Sequence, residues 1–144
     1  MQKIVVLYND LDRPIVNEVR IELTKRCPDV FVWMASEHLT AFGDMFSQIE
    51  KAIQSAWGVA IFLGQKGLGR FQENIELVAV AIERWQQGAQ YGCLLVHLAP
   101  GLEVPRSLLG FATVNHDGAL TGAAPLAAGI AQRFGCDRPS RNGS

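Results

Sequence analysis

Continuous apolar runs alternate along this chain with segments of helical periodicity. The runs are short and rich in Val, Ile, Leu and Phe, which is typical of strands buried on both faces of a parallel sheet. They predict five strands, at 3–8, 30–34, 58–63, 91–98 and 111–114. Between them, apolar residues recur every three or four positions and predict four helices, at 13–26, 45–56, 71–85 and 119–134.

Turn and cap residues mark where these elements begin. Asp12 and Asp44 stand where N-caps of the first two helices are expected, and Pro14 suits a first helical turn. The segment 35–43 has no clear period and predicts a loop. The segment 64–70, GQKGLGR, holds three glycines and predicts a turn-forming loop before the third helix.

Strands that alternate with helices at this spacing predict right-handed βαβ units. The expected fold is a flavodoxin-like three-layer α/β sandwich, with a five-stranded parallel sheet between two helical layers. Ligands of such sheets bind outside the carboxyl ends of the strands. One domain is expected over 1–134, and 135–144 loses the periodicity, which predicts a disordered tail or a linker to a further domain.

Composition narrows the classes of partner. The chain carries 13 basic and 14 acidic side chains, so its net charge of −1 provides no field to attract nucleic acid or anionic lipid. No apolar stretch reaches the roughly 18 residues that a membrane-spanning helix needs. Cys27, Cys93 and Cys136 have no spacing suited to a metal. We expect reduced thiols, no metal, and a soluble cytoplasmic protein.

Three segments together resemble one family. The clearest is 59–77, VAIFLGQKGLGRFQENIEL, in which a strand precedes a Gly-x-x-Gly-x-Gly loop, an aromatic–Gln pair and a nearby Glu. The others are the Gly-Asp helix start within 39–56, LTAFGDMFSQIEKAIQSA, and the opening 3–19, KIVVLYNDLDRPIVNEV. Over roughly residues 3–115 the chain resembles the bacterial TIR (Toll/interleukin-1 receptor) domains.

The resemblance implies an enzyme that cleaves the nicotinamide–ribose bond of NAD+, with no cofactor besides this substrate. A carboxylate near the ribose stabilises the oxocarbenium-like centre. The family's glutamate stands four residues after the aromatic, which here is Ile75. A shift of one residue brings in Glu76, and Glu76-Leu77 matches the family's pair, so Glu76 is the predicted catalytic residue and Glu73 the fallback. Without that shift the site lacks its carboxylate and the domain is inactive.

The same resemblance places substrate-binding residues in two loops and one strand. The loop after the first strand and the loop before the second helix would line the pocket, and an aromatic ring would stack on nicotinamide or adenine. The candidates are Tyr8, Asn9, Asp10, Trp33, Gly43, Asp44 and Phe46. The competing interpretation of the aromatic residues is core packing, and that of the glutamates is a charge favoured by the helix N-terminus.

Three functions stay open. The first is an NAD+ hydrolase or cyclase that acts as an oligomerisation-activated effector in bacterial antiphage immunity, with other TIR domains and a fused or separate sensor domain as partners. The second is a non-catalytic TIR adaptor that binds other TIR domains through 35–43 and the adjoining helix. The third is a nucleoside deoxyribosyltransferase-like enzyme, which would need a different pocket on the first strand and a stable oligomer.

Overall fold

The structure, a computed structural model, describes residues 2–40, 43–65, 71–88, 92–104, 110–114 and 122–136, with only the backbone described for 71–78. The strands are β1 (Gln2–Leu7), β2 (Val30–Met34), β3 (Gly58–Leu63), β4 (Gly92–His97) and β5 (Ala112–Val114). The helices are α1 (Arg13–Arg26), α2 (Ala35–His38), α3 (Met45–Gln54), α4 (Phe71–Gln87) and α5 (Ala123–Phe134), and a 3-10 turn covers Asp10–Asp12.

The five strands form one parallel sheet in the order β2-β1-β3-β4-β5. The register pairs Val5 of β1 with Trp33 of β2 on one side and with Val59 of β3 on the other. β2 lies on one side of β1, and the later strands lie on the other side. The direction in which successive strands are added to the sheet therefore reverses between β1 and β3. The flavodoxin-like α/β sandwich expected from the sequence is confirmed, and this reversal is the switch point at which such folds bind ligands.

Two apolar layers hold the helices to the sheet. Alternate residues of β1 serve both: Ile4 and Val6 pack with α1 and α5, whereas Val5 and Leu7 pack with α3. Every residue of β3 is buried, as expected for the central strand of a sheet covered on both faces. This burial explains why the apolar runs in the sequence are continuous rather than alternating.

Glycine is required at two positions next to α5. A Cβ at Gly58 would overlap the Phe134 ring and lie 2.8 Å from the Gly92 carbonyl oxygen, so α5 can approach the sheet only where side chains are missing. Gly135 ends α5 in the left-handed conformation, at φ +71°. The described part of α5 begins at Ala123, and the predicted first residues 119–121 lie outside the described part of the chain.

The expectation of a loop over 35–43 was wrong at its start, where α2 forms. The Met34 amide donates to Nδ1 of His38 at 2.9 Å, and the Leu39 amide donates to the Ala35 carbonyl at 3.1 Å. An ion pair of 3.9 Å between Arg20 and Glu37 joins this turn to α1. A single helical turn closed by one side chain is too short to produce a periodic signal.

The expectation of reduced thiols was wrong for two of the three cysteines. Cys27 follows α1, Cys136 follows α5, and the two sulfur atoms form a disulfide across 109 positions of sequence. The pair arises because α1 and α5 pack side by side on one face of the sheet, which the sequence spacing does not reveal. Cys93 is a free buried thiol, and burial raises its pKa to about 12.

Candidate functional site

The carboxyl ends of the strands bring three segments to one edge of the sheet. Residues 8–12 follow β1, α2 follows β2, and Gly64 and Gln65 follow β3. β1 and β3 are hydrogen-bonded neighbours, so the segments after them flank the switch point. This edge is therefore the candidate site, and the side chains that it presents decide what it can bind.

Tyr8 and Asn9, both predicted to bind substrate, use their polar atoms to hold the backbone. The Tyr8 hydroxyl accepts a hydrogen bond from the Ser36 amide at 3.1 Å and so joins the loop after β1 to α2. Asn9 is buried, and its Oδ1 accepts from the Leu11 amide at 2.9 Å, which caps the 3-10 turn. Asp10 is exposed to solvent at the start of that turn.

The sequence predicts Asp12 only as the N-cap of α1, and the structure gives its side chain different surroundings. It occupies the N-cap position of α1, yet its side chain makes no capping hydrogen bond. Its Oδ2 atom is buried and, among the described residues, has no hydrogen-bond partner. Burial raises the pKa of this carboxyl above its ordinary value of 3.8.

The Asp12 carboxylate lies directly against Gly64. A Cβ added at Gly64 would stand 2.6 Å from Oδ2 and 3.0 Å from Oδ1 of Asp12, closer than real side chains pack. The first glycine of the loop 64–70 therefore has a role that the motif does not specify: it lets the end of β3 touch the loop after β1. The remaining glycines of this loop lie outside the described residues.

Trp33, Phe46, Gly43 and Asp44 lie in other surroundings. Trp33 and Phe46 are half-buried and pack against the apolar layer between the sheet and α3. Asp44 is the N-cap of α3, where its carboxylate accepts hydrogen bonds from the Ser47 hydroxyl at 2.8 Å and from the Ser47 amide at 2.9 Å. The hydroxyl bond and, to a smaller extent, the amide bond lower the pKa of Asp44. Gly43 precedes it at φ +113°. These positions have local structural roles that account for the residue types present.

Trp33 also lines an open groove of about 260 Å³ between α3 and the edge strand β2. Lys3, His38 and Lys51 line the same groove, and Lys3 Nζ donates to the Ser55 hydroxyl at 2.6 Å. Asp12 and Gly64 do not line it. Of the predicted binding residues, Trp33 thus lines a separate surface groove, whereas Tyr8, Asn9 and Asp10 lie in the segment that flanks the switch point.

Glu73 and Glu76 lie in the first two turns of α4, and their side chains fall outside the described part of the structure. Three positions, somewhat less than one helical turn, separate the two residues along α4. α4 connects the parallel neighbours β3 and β4, so it runs antiparallel to these strands. Its first turns therefore lie at the edge of the sheet where β3 ends. The proposed catalytic glutamates thus stay predictions with a defined location on the backbone.

His97 ends β4 at the same edge of the sheet and is half-buried, and desolvation lowers its pKa. Within the described ranges, no three His, Cys, Asp or Glu side chains come together as a metal site. No helix in that part of the chain is long and apolar enough to cross a membrane.

Fold and edge together define a flavodoxin-like α/β protein with a candidate site at the β1/β3 switch point. No protein-family model matches the sequence, and no curated protein matches it. Among solved structures, it is similar to a 3-dehydroquinate dehydratase-like protein from Bifidobacterium longum, with a TM-score of 0.54 and 14% identity. The match covers 92% of this chain and 94% of the other. At that identity the likeness shows the fold alone.

Proposed function

We propose that this protein is a TIR-type NAD+ hydrolase or cyclase whose catalytic carboxylate is Glu76. The observation that supports this proposal is the course of α4, whose first turns belong to the edge where β3 ends. The segment after β1 flanks the same edge, where Asp12 touches Gly64. The two segments that resemble the catalytic parts of TIR enzymes are therefore neighbours in space as well as motifs in sequence.

The chemistry demands little more than a well-placed carboxylate. The nicotinamide of NAD+ leaves as a neutral molecule, so neither a metal nor a general acid has to stabilise the leaving group. The positive charge that develops on the ribose is stabilised by the carboxylate, as in glycoside hydrolysis. Water attack on that centre gives ADP-ribose, and attack by a group of the same molecule gives a cyclic product.

The proposal includes a biological setting. The domain would serve as an oligomerisation-activated effector in bacterial antiphage immunity, with other TIR domains and a sensor domain as partners. The cytoplasm is part of this proposal because the substrate is an intracellular nucleotide. The Cys27–Cys136 disulfide weighs against that location, since stable disulfides are rare in reducing compartments.

The test is nicotinamide release from NAD+ by the purified protein at high concentration, with and without a crowding agent. We expect Glu76→Gln to lose activity by about 10²-fold or more, the scale for an electrostatic group in the reaction. Glu73→Gln, a matched carboxylate removal one turn earlier, should retain most activity. Circular dichroism checks that both variants fold.

Two other results would change the assignment. Loss of activity in Glu73→Gln alone would move the catalytic role to Glu73. No turnover by wild-type protein, even in assemblies confirmed by light scattering, would contradict the enzyme proposal.

The absence of turnover by wild-type protein would favour the adaptor function. Large apolar side chains are exposed beside the segment 35–43, with Phe31 38% and Met45 50% accessible. A contiguous exposed apolar surface is typical of sites that associate with other proteins, and the adaptor proposal includes Phe31 and Met45 in such a surface. The adaptor predicts self-association that Phe31→Ser and Met45→Ser weaken, as measured by analytical ultracentrifugation.

A further inference from the structure

Asp12 stands at a helix start without acting as its cap. An N-cap aspartate normally accepts a hydrogen bond from an amide of the first turn, which stabilises the helix. Asp12 makes no such bond, and its carboxylate lies against Gly64 at the end of β3. The side chain therefore forgoes a local interaction and occupies the crevice between β1 and β3.

The neighbouring polar groups do not satisfy this carboxylate. Tyr8 is bonded to the Ser36 amide, and Asn9 is bonded to the Leu11 amide. Asp12 Oδ2 is buried and lacks a partner among the residues the structure describes. A buried acceptor left in this state destabilises a protein, and one that persists calls for a specific explanation.

We propose that Asp12 contacts the substrate and accepts hydrogen bonds from the ribose hydroxyls of a nucleotide bound at the β1/β3 switch point. A carboxylate has two acceptor oxygens and no donor, which matches a pair of neighbouring hydroxyl donors. Asp12 as a whole is only half-buried, and rotation about its Cβ–Cγ bond brings either oxygen toward a ligand. No bond is made or broken in this step.

This inference rests on the proposed function for the identity of the nucleotide. It adds a second carboxylate to the site, on the opposite side of the switch point from α4. In the proposed reaction Glu76 would stabilise the developing charge, while Asp12 would hold the ribose in place. The expected signature is loss of affinity with retained or increased stability, because Asp12→Asn removes a poorly solvated charge.

The test measures binding of ADP-ribose by isothermal titration calorimetry, together with thermal unfolding. We expect Asp12→Asn to weaken binding at least tenfold, with an unchanged or higher melting temperature. Glu18→Gln is the matched control, since it removes an exposed carboxylate of α1, and it should change neither quantity. An analogue without the 2-hydroxyl of the terminal ribose should bind wild type more weakly than ADP-ribose, and Asp12→Asn should no longer distinguish the two.

The outcomes separate this inference from the enzyme proposal. Binding of ADP-ribose that depends on Asp12, without NAD+ turnover, would support the inference and overturn the enzyme proposal. Turnover with equal affinity, discrimination and KM in wild type and Asp12→Asn would overturn the inference alone. A fall in melting temperature with unchanged affinity would assign Asp12 a purely structural role, and neither binding nor turnover by wild type would overturn both.

Discussion

Breaking the Cys27–Cys136 disulfide should remove a large part of the protein's stability. The bridge spans 109 positions, and the chain-entropy relation gives about 5 kcal/mol for a loop of that length. Measured losses for native disulfides are about 2–5 kcal/mol, because unfolded chains keep some structure. We expect the free energy of unfolding to fall by that amount in Cys136→Ser, the preferred variant because Cys136 is half-buried whereas Cys27 is 1% exposed.

Urea unfolding of oxidised and reduced protein measures the effect. With a denaturant slope of about 2 kcal/mol/M, the midpoint should fall by about 1–2.5 M on reduction. Reductant should leave the midpoint of Cys136→Ser unchanged. Thiol counting under denaturing conditions should find one free thiol in the oxidised chain, from Cys93, and three in the reduced chain.

Coincident unfolding curves for oxidised and reduced wild type would refute the reasoning. They would mean that residual structure already restricts the unfolded chain as much as the bridge does, or that the bridge does not form. Three free thiols in protein purified without reductant would identify the second case.

Three further predictions concern stability. Gly58→Ala should lower the free energy of unfolding by about 1–3 kcal/mol in urea, because its Cβ would overlap an aromatic ring of α5 and the Gly92 carbonyl oxygen. Gly110→Ala is the control, since its Cβ has room, and its free energy of unfolding should stay within about 0.5 kcal/mol of wild type. Asp44→Ala should lower the melting temperature at pH 7 but not well below pH 3.8, because protonation removes the cap whose pKa is lowered. The pKa of Asp12 is raised, so the contribution of Asp12 to stability falls as pH rises from 3.8 through its folded-state pKa. Any stabilisation of Asp12→Asn relative to wild type should therefore be absent at lower pH.

Each of these variants also has a result that would contradict it. Equal losses in the two alanine variants would show that the sheet and α5 adjust to the added methyl group. A deficit in Asp44→Ala that persists in acid would mean that the cap acts through something other than its charge. A stability profile of Asp12→Asn parallel to that of wild type would show that the carboxyl is well solvated.

The strands and most helix boundaries follow from the sequence. The bounds of β2 and β3 agree residue for residue with the apolar runs. For β3 the reason is that a central strand buried on both faces is apolar at every position, whereas β2 is an edge strand with an exposed Phe31 and is apolar throughout all the same. Asp44 begins α3 as expected, since an N-cap acts within one turn of its own helix. Both signals come from residues that are close together in the sequence, so they do not depend on how distant parts of the chain fold.

The site depends on contacts that no local signal records. Asp12 and Gly64 are 52 positions apart, and Cys27 and Cys136 are 109 apart. Each pair meets only because of the order of the strands and the faces on which the helices pack.

The sequence by itself therefore determined the α/β class, the five strands, the four longer helices and the edge of the sheet where a ligand would bind, but not the single turn α2. Only the tertiary structure decided that Tyr8 and Asn9 hold the backbone, whereas Oδ2 of Asp12 is buried at that edge without a hydrogen-bond partner among the described residues. The physical reason is that residue type sets which hydrogen bonds a side chain can make, while the neighbours brought by folding set which bonds it does make.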